Sequence, residues 1–320
     1  MRTDQTICVP SVAKRPDPVR TTKDEAVRDV IVIGGSYAGL SAALQLARAR
    51  RRVLVIDAGL PRNRFAQTSH GFLTHDGTPP GEIAARGREQ LLAYPTVEWM
   101  DGEVISAEKT NSGFSITLAD GKHHDARRLV LALGVADELP TIRGLAERWG
   151  SSVFHCPYCH GYELNQGKIG VIATSPMSMH HALMLPDWGP TTFFLNGAFT
   201  PDSEQTSKLL ARRITIESEA IAKITGQPAD VELQDGRVIE LAGLFVATRT
   251  LSSSPLASQL GCALEEGPMG PFIQTNVFKE TSVLGVFACG DVARPAGSVA
   301  FSVADGAMAG AATHQSLFMR

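Results

Sequence analysis

The sequence predicts an α/β protein built from two Rossmann-like domains, each a three-layer ββα fold, with the second inserted in the first. Three observations carry that prediction: a strand, glycine turn, helix and strand over residues 29–57, a repeated hairpin with a buried strand, and a late apolar strand that ends in Gly290-Asp291. The expected division is a disordered polar arm over 1–28, a first domain over 29–138 and 271–320, and a central domain over 139–270.

The opening unit is the strongest signal. Val30 to Ile33 is a continuous apolar run of the kind buried on both faces of a parallel sheet, and Gly34-Gly35-Ser36-Tyr37-Ala38-Gly39 turns it into a helix reaching about Arg50. Val53 to Ile56 gives a second buried strand ending in Asp57. Such a turn sets backbone amides and a helix N-terminus against a pyrophosphate, and the acid meets ribose hydroxyls. Ser36 stands where the fingerprint has its second glycine, and its small side chain keeps the approach open. Arg48, Arg50, Arg51 and Arg52 read as cations suited to a helix C-terminus.

The repeat comes next. Phe114 to Leu118, a turn at Asp120-Gly121-Lys122 and the buried run Leu129 to Gly134 recur as Val231 to Leu233, Asp235-Gly236-Arg237 and Leu244 to Thr248. Each copy follows a strand and helix unit, the second beginning at Lys168 to Ile172. That second unit has lost its phosphate loop: its turn reads Ala173-Thr174-Ser175-Pro176-Met177-Ser178, with Pro176 lacking an amide hydrogen. Asn196-Gly197 follows the next strand, with no arginine pair to grip a 2′-phosphate. NADPH is not expected to bind there. Past the repeat, Gly290-Asp291 can set a carboxylate on a polyol, and the small-residue helix over 299–315 permits close approach to a planar ligand.

Between the two units lies His155-Cys156-Pro157-Tyr158-Cys159-His160-Gly161-Tyr162-Glu163. Two thiols two residues apart close a small disulfide ring, and a neighbouring imidazole moves the proton that makes a thiolate. Cys-x-x-Cys-His is also a c-type haem attachment pattern, and zinc could take the same cysteines. Haem attachment needs export, for which no signal is present, and structural zinc usually takes four ligands while Cys8, Cys262 and Cys289 stand alone. A redox pair is the better reading. Cys262 and Cys289 read as buried small hydrophobes.

Composition narrows the partners. A net charge of −3 gives no reason to expect nucleic acid or an anionic membrane, and no apolar run approaches the roughly 20 residues of a span. A soluble, cytoplasmic protein acting on small molecules or proteins is expected.

With these pieces placed, residues 29–320 resemble the low-molecular-weight thioredoxin reductase family of flavoproteins. The resemblance rests on Gly34 to Gly39 with Asp57, Leu131 to Gly134, Cys156-Pro157-Tyr158-Cys159, and Gly290-Asp291 with its helix. The form Cys-Pro-Tyr-Cys-His-Gly-Tyr-Glu resembles the branch of gliotoxin- and holomycin-type dithiol oxidases and divergent bacterial reductase-like proteins; ordinary reductases carry an aspartate where His160 stands. The family implies a homodimer with FAD in the first domain, held by Gly34, Gly35, Ser36, Ala38, Gly39, Asp57, Gly134, Gly290, Asp291 and Ala300. It also implies that Cys159 faces the flavin while Cys156 exchanges with a small dithiol, a disulfide or a thioredoxin-like protein.

The expected activity is FAD-dependent dithiol oxidation with oxygen as acceptor. Cys156 and Cys159 are the redox pair, and His160, titrating near the ordinary ~6.5, is the base. His155 is a weaker candidate, and Glu163 would orient an imidazole. The alternatives are a thioredoxin reductase drawing on NADPH or another donor such as ferredoxin, and a non-catalytic flavin redox sensor. Phe65, His70, His75 and Phe318 read first as packing residues, with a substrate or flavin face as their other use.

Overall fold

The computed structural model describes residues 27–319. The arm expected over 1–28 lies outside the described residues as far as position 26, as does Cys8, while Arg28 already opens the first strand. In chain order, β1 (Arg28–Ile33), α1 (Tyr37–Arg48), β2 (Val53–Asp57), α2 (Pro80–Leu92) and β3 (Val97–Asp101) form the expected nucleotide-binding unit. An antiparallel stretch follows: β4 (Val104–Lys109), β5 (Phe114–Leu118) and β6 (His123–Leu131). The first sheet runs β3-β2-β1-β6-β5-β4. β6 has two uses: His123 to Ala126 pairs with β5 as a hairpin arm, and Leu129 to Leu131 lies parallel to β1 in the core.

The chain leaves this sheet through β7 (Val135–Glu138). The second sheet gathers β8 (Val153–Phe154), β9 (Ile169–Ile172), β10 (Thr191–Phe194), β11 (Thr215–Glu217) and β15 (Gly243–Val246), all parallel in the order β11-β10-β9-β15-β8. Helices α3 (Pro157–His160), α4 (Ser178–Met184) and α5 (Ser203–Ala211) lie among these strands in sequence. The antiparallel β12 (Ile221–Thr225), β13 (Asp230–Leu233) and β14 (Val238–Ile239) repeat the accessory layer of the first half as a separate sheet. Return is by β16 (Arg249–Ser252), which pairs antiparallel with β7.

After β16 come α6 (Leu256–Gln259), the hairpin β17 (Leu264–Gly267) and β18 (Gly270–Ile273), then β19 (Val286–Ala288), which pairs parallel with β6, and finally α7 (Val299–Met319). The sequence reading kept residues up to 270 in the central domain. Leu256, Ala257 and Cys262 pack instead with Ile31, Leu54 and Leu129 in the core beneath the first sheet. The reason is apolar burial: α6 presents fully buried Leu256 to the first sheet as soon as β16 has delivered it. On the other face α1 and α7 pack tightly through small residues. A Cβ at Gly306 would strike the Ala38 carbonyl, and one at Gly310 the Ala42 carbonyl, so the two helix backbones meet at a distance only glycine allows.

Candidate active site

The strand-to-helix turn of the first domain folds as the sequence requires. Gly34 sits at φ +104°, outside the range comfortable for a side chain, and its amide donates to the Ile56 carbonyl at 2.8 Å. Gly35 donates to Asp57 Oδ1 at 3.0 Å, so the acid at the end of β2 steadies the turn it serves. Ser36 is the helix N-cap but makes no side-chain capping bond, which leaves the first turn of α1 uncapped on the side of a cavity of about 410 Å³. That cavity spans the two domains.

Most of the expected positions meet on its wall. Gly34, Gly35, Ser36, Ala38, Asp57, Gly134, Gly290 and Asp291 line it from the first domain, and Cys159 and His160 from the central domain. Three do not. Gly39 faces the chain, where a Cβ would strike the Gly34 carbonyl; Ala300 lies one position beyond lining residue Val299; and Cys156 is off the wall but bonded to Cys159 on it. Phe65 and His70 line the cavity, whereas His75 and Phe318 do not.

The sulfur pair sits on a short turn. Cys156 is the N-cap of α3, Pro157 occupies the first helical position with its φ already suited to a helix, and the Cys159 amide closes back on the Cys156 carbonyl at 3.2 Å. Gly161 is fixed by close approach: a Cβ there would crowd both the Pro157 carbonyl and the Trp188 ring. Tyr158 and Tyr162 point outward, 75% and 85% exposed, so one side of the pair faces solvent while Cys159 faces the cavity.

The imidazoles around it are not at their ordinary values. His160 stacks on Phe154 with ring centres 4.2 Å apart, and burial drives its pKa down to about 4, against the raising effect of Glu163. The expectation of a base near 6.5 is corrected accordingly: His160 is neutral at pH 7 and accepts a proton weakly. Burial also lowers His155 to about 3, with the Arg62 charge adding to the effect, and His181 to about 4. Glu163 pairs with His70 Nε2 at 3.4 Å, so its contact is with that ring.

A charged network that sequence reading missed crosses the cavity wall. Arg62 donates through Nε and Nη2 to the two oxygens of Asp137 at 2.8 and 2.6 Å, and through Nη1 to Asp291 at 3.1 Å. Thr248 donates to Asp137 Oδ1 at 2.7 Å, and Ser302 to Asp291 Oδ1 at 3.2 Å. Burial alone would raise the Asp137 carboxyl, but the hydrogen bonds and charge of Arg62 outweigh it and hold it below its ordinary value. No local pattern marks these residues: Asp137 and Asp291 lie 75 and 229 positions from Arg62.

The second turn is closed on itself. Its Thr174 amide donates to the buried Ser178 hydroxyl at 3.0 Å, the Thr174 hydroxyl to the Ala247 carbonyl at 2.8 Å, and the Ser178 amide to the Ser175 carbonyl at 3.0 Å. Asn196, after β10, accepts from the Ile221 amide at 2.9 Å. The Thr174 and Ser178 amides, the Thr174 hydroxyl and the Asn196 side-chain oxygen thus already have partners within the protein.

The residues on the first cavity fit FAD. An uncapped helix N-terminus suits its pyrophosphate, carboxylates at Asp57 and Asp291 suit its hydroxyls, and the cavity extends from there to Cys159, as a two-part planar and polyol ligand requires.

Comparison with known proteins places these features in a family. The model of the pyridine nucleotide-disulphide oxidoreductase family matches residues 28–311. An oxidoreductase from Agrobacterium tumefaciens of known structure is 59% identical, with a TM-score of 0.89 over 92% of this chain and 99% of that one. HlmI is 36% identical, with a TM-score of 0.86 over 93% of this chain and 95% of its own. The thioredoxin reductase tcpT of Claviceps purpurea (strain 20.1) is 33% identical over 299 residues, 88% of this chain and 92% of tcpT.

Proposed function

The chain belongs to the pyridine nucleotide-disulphide oxidoreductase family, and from that premise we propose that it is an FAD-dependent dithiol oxidase that passes electrons to oxygen. At the coarser level it is a thioredoxin reductase-like flavin oxidoreductase acting on sulfur groups. The observation that carries the finer reading is the contrast between its two strand-to-helix turns: one opens on a cavity that reaches Cys159, and the other is tied up by its own Thr174 and Ser178 side chains.

The sulfur chemistry follows from the placement of the pair. A substrate thiolate attacks Sγ of Cys156, the Cys156–Cys159 bond breaks, and Cys159 leaves as a thiolate facing the cavity. The second substrate thiolate then attacks the substrate sulfur of the mixed disulfide and releases Cys156. The substrate has lost two electrons and two protons, and the enzyme holds a dithiol. His160, neutral at pH 7, accepts a thiol proton and surrenders it readily because its imidazolium is disfavoured by burial. Bound FAD would supply a two-electron acceptor from which oxygen could take the electrons as hydrogen peroxide. Asp57 and Asp291 would hold it, and Cys159 supplies the cavity-side sulfur. The substrate is a small dithiol, and the working form a homodimer.

The test is an anaerobic titration of the coloured holoprotein, first with dithiothreitol and then with NADPH, followed by oxygen-electrode assays. Dithiol should bleach the flavin, NADPH should leave it oxidised, and air should restore it with peroxide formed. Rapid bleaching by NADPH would instead establish a forward reductase. Cys159→Ser should keep its flavin and take up no oxygen with dithiol; if turnover persists, the assignment of the sulfur pair fails.

A further inference from the structure

Among the described residues two strands join the domains, β7 outward and β16 back, paired from Val135↔Ser252 to Glu138↔Arg249. A ribbon of two strands resists twisting weakly, and domains joined by so little move relative to one another unless something else fixes them. Cys159 and His160 reach the cavity only from the central domain, so their contribution depends on its orientation.

The network around Arg62 is built across that ribbon. Arg62 lies in the turn after β2 of the first domain, and Asp291 follows β19 of the same domain. Asp137 sits on the outgoing strand, and Thr248 lies between the last strand of the second sheet and the returning one. Side-chain bonds therefore run unbroken from Ser302 through Asp291, Arg62 and Asp137 to Thr248, from α7 to the central domain. The guanidinium is a planar fork and meets Asp137 at both oxygens, a geometry that tolerates little rotation. The carboxylate side chain is 5% exposed, so water does not replace a bond that twisting breaks. The same turn also packs its Phe65 directly against Gly150 of the central domain. A second cross-domain pair, His70 to Glu163, is longer at 3.4 Å and sits on a 41% exposed carboxylate, so it holds less firmly.

We propose that Arg62 is a positioning residue that locks the central domain in the orientation in which Cys159 faces the cavity. Its side-chain hydrogen bonds go to Asp137 and Asp291. It acts through Asp137 on the ribbon, and through Asp291 it joins that ribbon to the wall of the cofactor cavity.

The functional meaning of the lock rests on the sulfur pair serving the cavity, but its test does not need turnover. Nitroxide labels on non-natural ketone side chains at the positions of Glu89 in α2 and Leu210 in α5 report the inter-domain distance in the holoprotein, with unlabelled chain added in excess. The parent protein should give one narrow distance distribution. Arg62→Ala and Asp137→Asn should each add a second, broader population and slow anaerobic flavin bleaching by dithiol roughly tenfold or more, and Arg62→Lys should fall between. If Arg62 merely neutralises Asp291 inside the first domain, folded Asp137→Asn keeps the parent distribution, and that result overturns the proposal. Should a charge variant fail to fold, the near-isosteric Thr248→Val decides: a broadened distribution supports the lock, and an unchanged one overturns it. Loss of oxygen uptake with the distances unchanged would count against the lock alone, and intact distances with no oxidase activity in the parent would count against the oxidase reading alone.

Discussion

The two strand-to-helix turns of this molecule share a topology and differ in what they face and in how far their own side chains close them. At Gly34 to Gly39 the glycines let strand, turn and helix press together, so the helix N-terminus opens on a cavity with no side chain capping it. At Ala173 to Ser178 the Ser178 and Thr174 side chains satisfy the turn from within. What separates them is that the first turn fronts the cavity while the second is tied up by its own Thr174 and Ser178 side chains.

The largest expected effect comes from damaging the open turn. Gly39→Val would drive a branched side chain into the Gly34 carbonyl and push α1 away from β1. Flavin affinity should fall on the order of 100-fold, because a displacement of about 1 Å at a positioning element costs that much. The absorbance ratio of flavin to protein after gel filtration checks it. Full flavin retention would break the comparison, since the open turn would then not be where the cofactor is held.

Much of this was legible beforehand because the informative residues are neighbours in sequence. Gly34 to Gly39 with Asp57, and Cys156 with Cys159, are local patterns whose chemistry needs adjacency, and the cavity brings most of them to one wall. The Arg62 network was not legible: Asp137, Asp291 and Thr248 belong to different elements, and no periodicity links them. The acidity of His160 was missed for a related reason, since the Phe154 ring that buries it arrives by tertiary packing. The early return at Leu256 was missed because a four-residue helix carries too little pattern to show which sheet it covers.

The comparison extends to charge. In the first domain a buried carboxylate, Asp305, is matched by Lys279 and Arg294 at 2.9 Å each. The central domain instead holds half-buried imidazoles: His155 at about 3, and His160 and His181 at about 4, all pushed down chiefly by loss of water. Each has a folded pKa below its unfolded value near 6.5, so the folded state binds fewer protons and stability is lost as pH falls from about 6.5 toward 4. Calorimetry should show a melting temperature at pH 5 below that at pH 7.5 by on the order of 5 °C. Trp149 and Trp188 of the central domain should report the loss before Trp99 of the first. A flat profile would mean that the imidazoles are not buried as neutral groups. By the same values, the rate of flavin bleaching by dithiol should show no inflection near 6.5 from His160.

The smallest effect probes the closed turn. Ser178→Ala removes the hydroxyl that accepts from the Thr174 amide. Unfolding free energy should drop by about 1 kcal/mol, the net worth of one hydrogen bond whose freed donor can turn to water, with flavin content unchanged. The same variant should remain unreduced by NADPH, because Pro176 still lacks an amide hydrogen and the Ser178 amide is still committed to the Ser175 carbonyl. If Ser178→Ala instead allows NADPH to bleach the flavin, one hydroxyl rather than the whole turn keeps the second site shut. The two turns would then differ by a single side chain, and the step between reductase and oxidase would be correspondingly short.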